Sequence, residues 1–503
     1  MGEHNVKNLS EQEFDILLQK DIAQLPPDDI VCAVTPWRKA TKRVLTGFAL
    51  NAITLNFLGL NYFLPAIGML LILLGFRALR DENRWFHACW VLSLLRSAYV
   101  FPALILNTTI YQNAFYHSAA ANLLNGVHIA LLFALFLCFR KALCVVKEKA
   151  GLSPKVDGAV GLILWNAFVC IWALLEIPGD LIIGTLLITA YICIIRSLTK
   201  LSKEMEQAGY CICPPSVKFT DKALTLSVIL ILLIGCTCGY LFFHQYPMQW
   251  QPITNAETEN TEQIKTHLKS LGFPAHILDD LTQEDLLSCK DALRVIVDTG
   301  DFAINNGRRV METDEEGVIH YYTVYDQKEL RITGIGVELA GQQEHWKLFH
   351  HFQWLDDPGF YGTELVHLWP AYRMADGWSS ESVLSGQLLY DLGDRSYASP
   401  YYSLSTETYT ASSIFWGSQV STDIFAEFSM PNKGENHRGY VSYTIKEMRD
   451  GCIVDSWINY THQNAWLQYP AITAKEKHFS IGVRSTYAFK TIQDALQFFP
   501  NSP

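Results

Sequence analysis

Hydrophobic and polar positions fall into two regimes along this chain. Val44 to Phe76 is a run of 33 residues without a charged side chain, and apolar stretches follow it as far as Phe243. From about His244 to Pro503 the sequence is polar, rich in aromatics and in places alternating. A helix that crosses the hydrocarbon core of a bilayer needs about 20 apolar residues, with roughly 17–25 usable. Trp85–Leu106, Ala119–Phe139, Gly158–Leu175 and Ala223–Phe243 meet that length, and Leu181–Ile195 reaches it with its flanks. The opening run is too long for one crossing and barely long enough for two. Asn56, Gly59, Asn61 and Pro65 interrupt it.

The basic residues choose between those options, because cytoplasmic segments carry the excess of Lys and Arg. They cluster at Arg38–Arg43, Arg77–Arg84, Arg140–Lys155 and Arg196–Lys222, whereas Asn107–Ser118 and Glu176–Asp180 contain none. Two crossings within Val44–Phe76 put every cluster on the cytoplasmic side. The expectation is therefore seven spans, a cytoplasmic N-terminus and an extracytoplasmic C-terminal module in the plasma membrane. The alternative is an interfacial helix followed by six spans, which also leaves the module outside. No cleavable signal peptide is visible in the polar first 43 residues, so the first span itself is expected to direct insertion.

Beyond the last span two short helices are expected, Thr261–Ser270 and Gln283–Val297, the second capped by Thr282 with Asp285 at the capping-box position. Period-two runs then predict strands at Val318–Tyr325, Leu330–Leu339, His345–Trp354, Gly386–Leu392, Gly439–Met448, Cys452–Tyr460 and Phe479–Tyr487, and a closing helix at Thr491–Phe499. Tyr440–Met448 and Cys452–Tyr460, joined through Asp450-Gly451, read as a hairpin. The predicted fold class is a polytopic α-helical membrane bundle of about seven spans followed by a mainly-β domain of sandwich or jelly-roll type with short helices. The divisions are residues 1–43 (a cytoplasmic segment with a short amphipathic helix), 44–243 (the bundle), 244–310 (a helical linker region) and 311–503 (the β-rich domain).

Charge sharpens the division. Only 18% of residues are charged, against roughly 25% in soluble domains. Residues 1–243 hold 20 Lys and Arg and 16 Asp and Glu, net +4; the remainder hold 19 and 34, net −15. An acidic module is a poor partner for nucleic acid or anionic lipid, which need positive charge. The cytoplasmic loops are too short for an effector domain, so a signal passing inward needs a membrane protein partner. There is no Gly-x-Ser-x-Gly, Walker, dinucleotide or zincin motif, hence no cofactor and no specific reason to name a reaction.

Within the spans, Arg96 needs a partner, since a centred Arg costs roughly 2.5–3.5 kcal/mol on insertion scales. Glu176 and Asp180 are the nearest acids by depth. The set reads either as a structural ion pair or as an ion path. Asn122, Asn125 and His128 share one helix face and are expected to face other helices through hydrogen bonds. Ten of the twelve cysteines precede residue 244; Cys289 and Cys452 in the module can form one disulfide or stay free. His345, His350, His351 and His367 resemble metal ligands, but His350 and His351 point to opposite faces of a strand, so no metal site is expected. Of the seven tryptophans in residues 311–503, most are expected in the core. Trp369 and Trp378, in loop-like sequence, are the candidate exposed platforms for a carbohydrate or peptide ligand.

The run Leu25-Pro26-Pro27-Asp28-Asp29, then Thr35-Pro36-Trp37-Arg38-Lys39 and the Asn-rich first span, resembles uncharacterised multi-pass membrane proteins of Gram-positive bacteria over the first hundred residues. The resemblance implies a bacterial plasma membrane and no activity. Three functional readings stand: a sensor or accessory subunit displaying a ligand-binding domain, an enzyme acting on envelope glycans or lipids, and a transporter.

Overall fold

The computed structural model describes residues 36–52, 59–175, 181–210, 212, 218–253, 259–304, 307–313, 319–325, 328–341, 344–369, 377–380, 384–413, 417–448, 451–480 and 487–500. The amphipathic N-terminal helix, Glu176 and Asp180 lie outside these residues. The chain divides into two compact units, one of residues 1–106 and 114–236, the other of residues 107–113 and 237–503.

The first unit is helical: α1 (Pro36–Ala52), α2 (Leu60–Leu79), α3 (Arg84–Leu106), the single turn α4 (Gln112–Tyr116), α5 (Ala119–Lys149), α6 (Asp157–Leu174), α7 (Leu181–Gln207) and α8 (Asp221–Phe242). Six of these, α2, α3 and α5 to α8, are long and apolar enough to cross a membrane. Helix α1 is shorter and carries Arg38, Lys39, Lys42 and Arg43 in its first half. It lies antiparallel on α2 with backbones nearly touching. A Cβ on Gly47 would stand 2.6 Å from the Gly68 carbonyl oxygen, and one on Gly75 would stand 2.9 Å from that of Ala40. Small residues at such a seam let helices approach where lipid removes the usual hydrophobic drive. Around the seam, Trp37, Phe48, Phe76, Phe86 and Phe139 form a buried aromatic cluster.

One end of the bundle gathers the basic clusters. Thr41 and Ser202 hydroxyls lie 2.8 Å apart, Trp37 Nε1 donates to the Ser202 carbonyl at 3.4 Å, and Tyr210 donates to Glu82 at 2.7 Å. Lys149 Nζ reaches the Glu82 carbonyl at 3.0 Å, and Arg43 pairs with Asp221 at 2.6 Å. The starts of α1, α3 and α8 and the ends of α2, α5 and α7 therefore meet.

The second unit includes the last turn of α8 and the loop 107–113. Ile110 N–H donates to the Phe243 carbonyl at 3.1 Å, Ala471 N–H to the Asn107 carbonyl at 2.7 Å, and Tyr240 to the Gln468 carbonyl at 2.6 Å. Its strands are β1 (Gln251–Pro252), β2 (Ala292–Phe302), β3 (Gly307–Thr313), β4 (Ile319–Tyr325), β5 (Leu330–Leu339), β6 (His345–Trp354), β7 (Glu364–Trp369), β8 (Trp378–Ser380), β9 (Ser385–Leu392), β10 (Arg395–Ser399), β11 (Ser403–Ser413), β12 (Gly417–Phe428), β13 (Glu435–Glu447), β14 (Val454–Gln463) and β15 (Phe489–Phe498). They form two larger antiparallel sheets and a hairpin: β1-β10-β9-β13-β6-β5-β2 with β8 also on β13, then β11-β12-β7-β14-β15, and β3-β4.

Side chains from both sheets, including Leu348, Phe352, Leu388, Val441, Val366, Ile424 and Ile458, share one apolar cluster. The opposite face of the larger sheet is covered by α9 (Glu259–Ser270), α10 (Ala275–Leu278) and α11 (Gln283–Ser288), where Leu268, Ile277 and Leu286 pack with Ile335, Phe349 and Tyr440. A strand buried on both faces has no polar side to show, which is why β6 is buried almost throughout. The helix α12 (Ala474–Phe479) packs on the smaller sheet.

Four expectations fail here, and the strand expected over Phe479–Tyr487 falls mostly outside the described residues. The helix expected over Gln283–Val297 stops at Ser288, and Val295-Ile296-Val297 enters β2 because pairing with β5 outweighs the cap signal. The closing helix at Thr491–Phe499 is strand β15, paired along its length with β14. The expected hairpin is not one: β13 pairs in the larger sheet and β14 in the smaller, so the turn between them carries the chain from one sheet to the other. The helical segment assigned to a linker is instead the cover of the larger sheet.

Candidate functional site

A cavity of about 490 Å³ opens in the second unit where β1 and β10 meet the helices that cover the larger sheet. Its walls include Gln249, Gln251, Lys265, Gln283, Gln387 and Ser399. Each is placed by a backbone feature. Gln251 sits on the two-residue strand paired with Ala398. Gln283 opens α11 directly after the capping Thr282. Gln387 projects from β9 and donates to the Asp280 carbonyl at 2.8 Å. Lys265, on the inner face of α9, is paired with Asp279 at 2.9 Å. With that charge paired, the wall offers chiefly amides and hydroxyls. Such a wall matches hydroxyls or amides of a neutral polar ligand in both donor and acceptor roles.

Behind this wall lies a buried polar network. Asp285 Oδ1 accepts from Lys347 at 2.6 Å, Ser385 at 2.6 Å and Ser442 at 3.2 Å; Oδ2 accepts from Tyr440 at 2.5 Å and Thr282 at 2.8 Å. Burial pushes the Asp285 carboxyl up, but the Lys347 charge and the hydrogen bonds from Lys347, Ser385 and Tyr440 outweigh it and hold the group below the usual carboxylate range. Its five donors make Asp285 a fixed anchor that seats α11, and with it Gln283, on the sheet. The sequence signal for it was Lys347, the one Lys or Arg inside His345–Trp354.

The histidines do not converge on a metal. His350 faces the smaller sheet and bonds Ser456 at 2.7 Å, while His351 faces the helices and bonds Asp280 at 3.0 Å. Arg438 closes the second pair, donating to Asp280 at 2.7 Å and Asp391 at 3.0 Å. Full burial drives the His350 imidazolium pKa down to about 3. His462 and Glu364 are paired at 2.6 Å in the interior. His367 bonds Asp423 at 2.8 Å, Tyr409 donates to the same oxygen at 2.7 Å, and the exposed His478 ring lies 4.2 Å from His367. Partial desolvation and then the neighbouring His367 push His478 down to about 4. Among the described residues no group of three His, Cys, Asp or Glu side chains is placed to hold a metal ion.

Trp378 is 3% exposed, with its indole donating to the Ile453 carbonyl at 2.9 Å, so it belongs to the core rather than to an exposed platform. Trp369 is half-buried and stacks on Trp457 with ring centroids 5.6 Å apart. Among the described residues of the module, the exposed indole is that of Trp466, in the loop that meets Tyr240 at the end of α8. Cys289 and Cys452 are both free, the first buried beneath the helices and the second packed against the inter-sheet cluster, so they form no disulfide.

In the bundle, Arg96 is buried and meets His128 at 3.1 Å, while Tyr99 donates to Asn125 and its ring lies 4.7 Å from that of His128. Asn125 and His128 thus bond α3 as the shared face led one to expect, whereas Asn122 on the same face is exposed. No protein-family model matches the chain, and no curated protein matches it.

Proposed function

We propose that the chain is an integral membrane protein of seven spans that presents its acidic β-rich module, a two-sheet sandwich, on the extracytoplasmic side for ligand binding. It serves as a sensor or as an accessory subunit of an envelope or transport complex. The observation that carries the binding role is the amide-lined cavity held in place by Asp285. Its chemistry favours a neutral carbohydrate or peptide. The orientation rests on the basic clusters, which share the end of the bundle opposite to the one where α8 finishes. The seventh span rests on α1 lying antiparallel to α2, with basic side chains able to snorkel from its first turns. A partner subunit is favoured by the exposed Asn122 and by α8, of which only 6% of the most apolar stretch is buried. Polar groups on a lipid-facing surface are costly unless another helix covers them.

The binding role is tested by calorimetry of the purified full-length chain against soluble glycan fragments and short neutral peptides. Binding that Gln387→Ala and Gln283→Ala weaken together supports it; affinity unaffected by both overturns it. The orientation is tested by labelling Asp394→Cys with a membrane-impermeant maleimide, using the parent chain as background. Labelling only after lysis overturns it.

A second reading is an enzyme acting on envelope glycans or lipids, and His367–Asp423–His478 is the arrangement that favours it. The carboxylate orients His367 as in acid–base catalysis, and His478 presents an imidazole at the surface. Loss of hydrolysis by His478→Gln with unchanged thermal stability would support this reading; no hydrolysis of envelope substrates by the parent chain would remove it.

A further inference from the structure

The basic end of the bundle carries a second cavity, of about 630 Å³, between α2, α3 and α8. Its walls are apolar through Leu73, Leu94 and Leu224, while Arg77, Arg80 and Lys218 stand at it. Around it four cations, Arg43, Arg77, Arg80 and Lys218, meet two carboxylates, Asp81 and Asp221. Asp221 is shared between Arg43 at 2.6 Å and Arg77 at 3.5 Å. Arg77 donates through Nη2 to the Phe219 carbonyl, and its buried Nη1 is the nitrogen that faces Asp221 Oδ1 in the 3.5 Å ion pair. Arg80 lies over the Trp90 ring at 5.4 Å, which holds the guanidinium at the level where indoles favour the headgroup region.

A surplus of positive charge above an apolar slot between spanning helices is the pattern an amphipathic anion fills. A soluble anion would satisfy the cations and leave the slot empty. A zwitterionic lipid would fill the slot and bring a second cation to the site. We propose that this cavity holds the phosphate headgroup and upper acyl chain of an anionic phospholipid from the leaflet at the basic end of the bundle. The inference is independent of the module and of what the module binds.

The test uses the purified full-length chain in detergent. Phosphatidylglycerol, phosphatidylcholine and inorganic phosphate are titrated separately, and binding is read by native mass spectrometry and by the shift in Tm. Phosphatidylglycerol is expected to bind as one tightly held equivalent and to raise Tm, with no shift from the other two. Arg80→Gln and Lys218→Gln each weaken it about fivefold, and together about 25-fold, while the Tm without lipid stays at the parent value. These two positions leave the Asp221 pairs intact, so folding is preserved. Equal binding of phosphatidylcholine, a shift with phosphate alone, or full affinity in the double variant would each overturn the proposal.

Discussion

The two units distribute their side chains in opposite ways. In the bundle the outward residues are apolar, with Leu123 70%, Leu174 82% and Ile182 71% exposed, while Ser93, Arg96 and Ser97 are buried. In the β-rich module Trp346, Phe352 and Leu388 are fully buried, and the acidic excess of the chain lies in this part of the sequence. Both follow one rule, that each group seeks the solvent that suits it, applied to lipid in one case and water in the other. Cohesion differs accordingly. The helices meet through glycine seams and aromatic contacts, whereas the module is held by apolar area removed from water. Its interior polar groups are tolerated because they are gathered into networks such as Asp285–Lys347.

The largest effect expected from breaking this contrast is at that network. Asp285→Asn leaves the buried Lys347 ammonium without its counter-charge and should cost about 3–5 kcal/mol. Hydrogen exchange of β6 and β13 in the full-length chain would report it, with the helices of the bundle unaffected. Lys347→Met added to it should restore part of the loss. Phe352→Ala, which empties space between the sheets, should cost about 3–5 kcal/mol on the same readout. In the bundle, Gly47→Val forces α1 from α2 and should cost about 1–3 kcal/mol, seen as faster exchange in those two helices.

Acid should act selectively on the module. The His350 pKa is about 3 in the folded chain and roughly 6.5 when unfolded. Between those values the unfolded chain binds the extra proton. Stability is therefore whole above about pH 6.5 and falls by up to about 1.4 kcal/mol per unit as pH drops toward 3. A His350→Gln chain should show a shallower loss in the same window. The smallest effect is the control: Leu174→Ala, facing outward on α6, should change stability by under about 0.5 kcal/mol. A loss near that of Phe352→Ala would mean that Leu174 is packed against protein rather than lipid.

The helices were legible because a spanning segment must satisfy its backbone internally and show lipid an apolar surface, and both demands are written in consecutive residues. The basic clusters marked one end of the bundle for the same local reason. Strands β4, β5 and β6 were read near their true limits from period-two runs. Residues 292–297 and 491–498 were misread as helix because their state depends on partners far along the chain, β5 for one and β14 for the other. The cavity was invisible for the same reason. Gln251, Lys265, Gln283 and Gln387 share no motif and become neighbours only when two strands and two helices close around them. Trp378 looked like a surface ring because its neighbours are polar, yet the strand it forms beside β13 turns it into the core. What the amino-acid order alone determined is the partition between lipid and water, since that depends on each segment's own composition. Which buried charges meet, which sheet each strand joins and where a ligand can enter were decided by tertiary pairing, because those contacts join residues that nothing in the linear pattern links.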